Sequence, residues 1–310
     1  MRILLWHVHG SWTTAFVQGS HEYLVPVLPD RGPDGRGRAR TWDWPASVKE
    51  LPPAELADAD FDLVILQRPE ELDLCAEWLG RRPGIDLPAV YLEHNAPQGR
   101  INEMKHPAAG RAGLSVVHVT HFNDLFWDCG DLPTRVISHG IVDPGHLYTG
   151  ELPHAAVVVN EPVRRARVTG TDLLERFAAA APLDLFGMGV AELGGYENLK
   201  QDALHRQMGR RRVYLHTCRW TSLGLSLIEA MHLGMPVVAL ATTEAVEAVP
   251  PEAGVISTNV DRLVRAVKDF AGDPEYARAC GKAAREVALE RFGLTRFLTD
   301  WDRVLAEVVR

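Results

Sequence analysis

Cysteine is scarce. The chain has four in 310 residues, Cys75, Cys129, Cys218 and Cys280, with no CxxC pair and no metal-ligand spacing. Such singletons exclude a disulfide framework and a zinc motif. They read as small buried residues of a chain kept in a reducing cytosol, so the expected location is cytoplasmic. No apolar run approaches the roughly 18 residues of a membrane span. The apolar run in the first ten residues, MRILLWHVHG, is too short for a signal peptide. Positive charge is also in short supply: 33 basic residues stand against 41 acidic ones, a net charge of −8. Residues 1–150 hold 13 basic and 20 acidic side chains, and the remainder 20 and 21. Neither half is basic, which argues against nucleic acid as a partner and against an anionic membrane surface. No internal repeat and no long low-complexity tract is present. At this length two domains are expected, each able to bury its own core.

The most informative stretch is RVYLHTCRWTSLGLSLIEAMHLGMPVVAL, residues 212–240. Val213 to Leu215 reads as a buried strand and His216 to Ser222 as a polar turn. Leu223 to Met231 reads as a helix, Gly234 ends it, and Met235-Pro236 leads into a second strand, Val237 to Leu240. In such a unit the turn and the helix N-terminus lie at the ligand edge of a parallel sheet, where free N–H groups and the helix dipole favour an anion such as phosphate. Glu229 is the odd residue in this helix. Leu227, Ala230, Met231 and Gly234 share one face, and Glu229 falls almost opposite, beside Leu225 and His232. One reading is a solvated surface carboxylate. The other is a buried one, because nearly every neighbouring position is apolar or small, and a buried carboxylate needs donors. The vicinal hydroxyls of a ribose would serve.

With Gly224, Glu229-Ala230-Met231, Gly234 and Pro236-Val237-Val238-Ala239 in place, the stretch resembles the donor-site signature of retaining glycosyltransferases of the GT-B fold. These include bacterial-type sucrose and glycogen synthases and mannosyltransferases. The resemblance implies a nucleotide-sugar donor whose ribose is held by Glu229. The family's signature has a first Glu eight positions earlier, near the reacting sugar; that position is Thr221 here. The expected fold is α/β, with two Rossmann-like domains facing across a cleft. Residues 1–150 would be the acceptor-side domain and 151–293 the donor domain. Residues 294–310 would be a helix crossing back to the first domain.

Along the first half, Arg2 to Val8 reads as a strand ending at Gly10 and Ser11, a loop that in the family faces donor phosphates and acceptor. Trp12 beside it could stack on a sugar or pack. Tyr23 to Leu28 is a strand candidate. Residues 31–40, RGPDGRGRAR, read as a surface loop or as a lid for an anionic acceptor. Pro45 to Ala59 is helix-like, broken by Pro52-Pro53. Phe61 to Gln67, Pro88 to Glu93 and Leu114 to Thr120 read as buried strands. His94, at the end of one of them, matches a family histidine that bonds the donor sugar; the alternative is a His bonded to local backbone. His118 and His121 read as polar cleft residues rather than metal ligands, and Pro144 to Pro153 as the linker.

In the second half, residues 160–169, NEPVRRARVT, follow a strand from Ala155 to Val159. The family places an Arg and a Lys in this loop to neutralise the diphosphate. Alignment on Gly170 puts Arg164 on the Arg and Thr169 on the Lys, with Arg165 or Arg167 available instead. Leu183 to Phe186 leads into Gly187, where a nucleobase can pack against backbone. Tyr196 to Met208, Leu263 to Phe270, Glu275 to Arg291 and Leu294 to Val309 read as helices. The expected site therefore joins His94, Thr221, Arg164 and Glu229 as reaction-side residues. It adds Gly10, Ser11, Asn160, Arg165, Phe186, Gly187, His216, Ser222, Leu223, Gly224, Leu225 and Ser226 as donor contacts. No metal and no cofactor is expected beyond the nucleotide sugar itself. The acceptor and the oligomeric state are not written in the sequence. A nucleotide-sugar epimerase and a non-catalytic scaffold of the same fold are the competing readings.

Overall fold

A computed structural model describes residues 1–310. It divides into two compact units, Met1–Gly140 with Leu294–Arg310, and Ile141–Gly293. The first runs β1 (Arg2–Leu5), α1 (Gly10–Phe16), β2 (Glu22–Pro26), β3 (Val48–Leu51), α2 (Pro53–Ala57), β4 (Leu63–Leu66), α3 (Glu70–Leu79), β5 (Ala89–Glu93), β6 (Leu114–His118), α4 (His121–Phe126) and β7 (Thr134–Val136). The second runs β8 (Leu152–Val158), α5 (Pro162–Arg165), α6 (Leu174–Ala178), β9 (Leu183–Phe186), α7 (Gln201–Arg210), β10 (Arg211–His216), α8 (Leu225–Leu233), β11 (Val237–Leu240), α9 (Ala245–Ala248), β12 (Gly254–Ser257), α10 (Val260–Gly272) and α11 (Pro274–Arg291). The final helix α12 (Leu294–Val308) belongs to the first unit. No helix is long and apolar enough to cross a membrane.

Both sheets are parallel throughout. The first has the order β3-β2-β1-β4-β5-β6-β7, the second β12-β11-β10-β8-β9. Strands buried on both faces need continuous apolar runs, and LVIL of β4 and VVAL of β11 supply them. Each sheet has one switch point where strand order reverses, β1/β4 in the first and β8/β10 in the second. Ligands of such sheets bind outside the carboxyl ends of the strands at that point.

Several expectations are corrected. Residues 48–51 form an edge strand paired with β2 rather than part of a broken helix, since Val48 is buried and the segment pairs in register with Tyr23 to Pro26. The arginine-rich loop is not a free lid. Arg31 pairs with Glu50, and Arg38 donates to the carbonyls of Trp44, Pro45 and Val48. α7 begins at Gln201, not Tyr196, because Tyr196 bridges to Phe186 and Asn198 takes a positive φ. Gly10 and Ser11 open α1 instead of lying in a loop. The boundary between units falls at Gly140 rather than 150, since residues 141–150 bond into the second unit: Ile141 pairs with Gly293, and the N–H groups of Tyr148 and Thr149 donate to Leu233 O and Gly209 O.

α12 is fixed to the first unit by aromatic packing. Trp301 meets Trp12 and Phe16 edge-on at 5.5 and 5.1 Å between ring centroids, and Phe297 meets Trp12 at 6.1 Å. All four rings are buried. Trp12 is thus a packing residue. Trp301→Ala would leave a ring-sized cavity and should cost about 3–5 kcal/mol of unfolding free energy, read from urea titration; a loss below about 1 kcal/mol would mean that the four rings do not pack as one fixed cluster.

Candidate functional site

Three loops, those after β8, β9 and β10, leave the carboxyl edge of the second sheet around the β8/β10 switch point. The first, after β8, is locked to the loop after β9. Asn160 Oδ1 accepts from Met188 N at 2.9 Å, and Glu161 N donates to Met188 O. Gly187 lies at φ +132° with its Cα against Val159, where a Cβ would sit 2.2 Å from the carbonyl oxygen; only glycine fits. Phe186 is not open to a ligand. Its ring is buried, with Tyr196 stacked on it at 5.3 Å and the Arg211 guanidinium 5.1 Å from its centroid. Half-exposed Tyr196 is the aromatic at this edge that the sequence reading missed.

The arginines of the β8 loop divide by their acidic partners. Arg164 pairs with Glu161 at 3.3 Å and Arg167 with Asp172 at 3.1 Å. Asp172 also takes both guanidinium nitrogens of Arg219, at 2.5 and 2.8 Å, which holds its carboxyl below the usual carboxylate range. Arg165 is half-buried and pairs with no carboxylate. It lies near enough to Cys218 to pull down a thiol that burial pushes up to about 11, which places it beside the turn after β10. Thr169, aligned with the family's Lys, is buried and donates to Ala166 O, so that position is turned away from a ligand.

The turn after β10 leads into α8, whose N-cap Gly224 has no side chain to cap the helix start; Leu227 N donates to Gly224 O. Gly224 rests on His216: a Cβ there would meet the imidazole at 2.6 Å. Burial lowers His216 to about 4, so a neutral ring underlies the helix start. Leu223 is part of the core and contributes backbone only. Ser226 Oγ is 2.8 Å from Tyr214 Oη, so its hydroxyl is engaged within the unit. Ser222 is buried, and its carbonyl accepts from Glu244 N. Thr221 is half-buried in the same turn.

Glu229 is 4% exposed, which decides between its two readings in favour of burial. Its Oε2 accepts from Gln201 Nε2 at 3.0 Å and lies 3.4 Å from His205 Nε2. Both partners come from α7 and were missed. The available signal was that Gln201 and His205 are four apart on one helix face.

In the first unit the β1/β4 switch point gathers imidazoles. His94 Nε2 is 3.0 Å from Gln67 Oε1, and Gln67 Nε2 donates to Trp6 O. The His94 ring lies 3.9 Å from His9 and 6.2 Å from His139. Burial lowers His9 to about 4, His139 to about 3, and His94 well below its ordinary value. His94 thus bonds a side chain, not local backbone. The Trp42 indole closes over Gly10, 3.1 Å from where a Cβ would stand, and Ser11 follows in the first turn of α1. His118 is fully buried and His121 exposed, so they do not converge.

These rings make stability pH-dependent. His9, His118, His139 and His216 bind a proton in the unfolded chain below about 6.5 but in the folded one only near 4 or 3. Between those values the unfolded chain holds more protons, so stability falls as pH falls. Glu71 opposes this: burial raises it to about 7, so the folded chain holds an extra proton from about 4.5 to 7. Four imidazoles outweigh one carboxyl. The urea midpoint should drop steadily from about pH 6.5 to about pH 4; a flat or rising midpoint would show the imidazoles to be solvated.

Residues 193–287 match the family described as Glycosyl transferases group 1. No curated protein matches the sequence. Among solved structures, Anabaena HepE in complex with UDP-glucose is 16% identical with a TM-score of 0.70, covering 99% of this chain and 100% of that one. A glycosyltransferase from Rickettsia africae is 13% identical with a TM-score of 0.70, covering 100% and 98%. The sucrose-phosphate synthase from Thermosynechococcus elongatus is 14% identical with a TM-score of 0.68, covering 99% and 98%. The two parallel sheets are those of the GT-B fold, and Tyr196, Gln201, His205, Gly224 and Glu229 lie within the stretch that matches the group 1 glycosyl transferase family.

Proposed function

We propose that the chain is a retaining glycosyltransferase that moves a sugar from a nucleoside-diphosphate sugar to an acceptor, acts in the cytoplasm, and needs no divalent metal. The observation that carries this reading is on α8. Its uncapped N-terminus and the buried Glu229 stand on one helix, four residues from Leu225 to Glu229, or about 6 Å along the axis. That spacing suits a nucleotide, with the diphosphate at the N-terminus and the ribose diol at the carboxylate. Arg165 adds the cation that no acid neutralises, and the neighbouring Arg164 is held only by an exposed pair. Tyr196 and the Gly187 backbone would flank the base.

In the reaction the bond from the anomeric carbon to the diphosphate oxygen breaks and one to the acceptor oxygen forms on the same face. The acceptor's proton passes to the departing phosphate. The chain's part is to stabilise the charge that grows on the diphosphate, through the α8 N–H groups and Arg165. His94 and Thr221 would contact the transferred sugar, with Gly10 and Ser11 among the donor contacts. Thr221 brings a neutral hydroxyl where the family carries a carboxylate, so this site would contact the sugar without a charge there.

Glu229→Gln should weaken UDP binding by about 1–3 kcal/mol in calorimetry, because charge-assisted bonds to the ribose are lost. Unchanged affinity would remove Glu229 from the ribose.

Metal independence has its own check. The two Asp-x-Asp matches in Asp58-Ala59-Asp60-Phe61-Asp62 lie before β4, at the amino edge of the first sheet, where Asp62 accepts from Arg2 N at 2.7 Å. Ligands gather at the other edge. Turnover should survive excess EDTA, and Asp58→Asn with Asp60→Asn should leave the rate nearly unchanged. Loss in EDTA that Mn²⁺ or Mg²⁺ restores would refute metal independence.

A further inference from the structure

We infer that Gln201 and His205 are positioning residues for the Glu229 carboxylate and set how strongly the site recognises a ribose diol; this rests on the nucleotide-sugar reading of the site. The Gln201 amide nitrogen lies 3.0 Å from Glu229 Oε2 and 2.9 Å from His205 Nε2. It carries two hydrogens and no lone pair to offer. One hydrogen goes to the carboxylate and the other to the imidazole, whose Nε2 is then the unprotonated ring nitrogen. His205 thereby fixes the amide's orientation. Were the amide flipped, its oxygen would lie 3.0 Å from the carboxylate oxygen, two acceptors with no hydrogen between them.

The consequence is geometric. Glu229 and His205 are 4% and 5% exposed, so water does little to hold them. The carboxylate has several rotamers of similar energy, and a fixed donor on one oxygen selects among them. A carboxylate held in one rotamer meets a diol without first being ordered, which is where affinity is gained. α7 supplies both holding groups from the segment that begins just after Tyr196 and packs against α8. Base edge and ribose carboxylate are therefore served by one continuous piece of chain, residues 186–205.

The test compares UDP, GDP and ADP with their 2′,3′-dideoxy forms by calorimetry. The wild-type chain should prefer the ribose form of the nucleotide it binds by about tenfold or more. Gln201→Leu and His205→Phe should each cut that preference at least about threefold, with the dideoxy affinity unchanged. His205→Gln, which returns an acceptor oxygen near the place of Nε2, should keep most of it. An equal loss for both ligand forms would assign α7 a merely structural role and overturn the inference. So would an undiminished preference in Gln201→Leu and His205→Phe while Glu229→Gln abolishes it; in that case the ribose reading stands. If Glu229→Gln keeps the preference, the ribose reading itself fails, and the inference falls with it.

Discussion

A carboxylate taken out of water has to be given donors, and Glu229 is such a carboxylate. The helix that carries it is buried from Leu227 to Leu233, packed between β10, β11, α7 and α11. An ionised group there costs several kcal/mol unless it is paired. An alanine or leucine would pack at that place without such a cost. One donor that offsets burial comes from α7: Gln201 bonds the carboxylate, and His205 on the same helix face accepts the amide's other hydrogen. Helix, carboxylate and holding residues thus form one unit, and the uncapped start of α8 lies at its other end.

Topology decides where that unit points. The reversal of strand order at β8/β10 leaves room between the loops that leave those strands, and the first unit repeats the arrangement at β1/β4. In the second unit, close backbone approaches maintain the opening. Gly187 lies against Val159. Gly170 lies where a Cβ would stand 2.1 Å from Thr217 O, so the β8 loop and the β10 turn approach backbone to backbone there. Thr217 Oγ1 donating to Thr169 O and Arg219 N donating to Val168 O tie the same two loops. A site assembled from loops becomes rigid when the loops bond one another.

Much of this was legible in the sequence. The buried strands announce themselves as apolar runs, and the strand–turn–helix–strand pattern of 212–240 is local, so periodicity and the Gly234 stop suffice to read it. The apolar residues around Glu229 offered burial as one of two readings, and the structure decided for it. What could not be read depends on neighbours distant in sequence. VKEL of β3 has no alternation that marks a strand; it is one because β2 offers an edge. Phe186 looked open to a base because nothing local says that Tyr196 and Arg211 cover it. The pairing of Gln201 with Glu229 spans 28 residues and two helices. Arginine loops mislead for the same reason, since the acids that occupy them, Glu50 and Asp172, lie outside the runs that drew notice.

The distribution of charge around the β8 loop is set by these pairings. Four arginines surround the loop, at 164, 165, 167 and 219, and two acids answer them. Asp172 sits between Arg167 and Arg219, and its hydrogen bonds from Arg219 hold its carboxyl below the usual carboxylate range. Glu161 reaches only Arg164, through an exposed contact that water screens. Four arginines against two acids leave a local excess of two positive charges. Such an excess is tolerable because Arg165 is only half-buried and the other guanidiniums reach solvent. Had the family's lysine stood at 169, its ammonium would have had to replace a hydroxyl buried against Ala166 O and Thr171 Oγ1. The loop turns inward at Thr169, and its half-buried arginine stands four residues earlier, at 165.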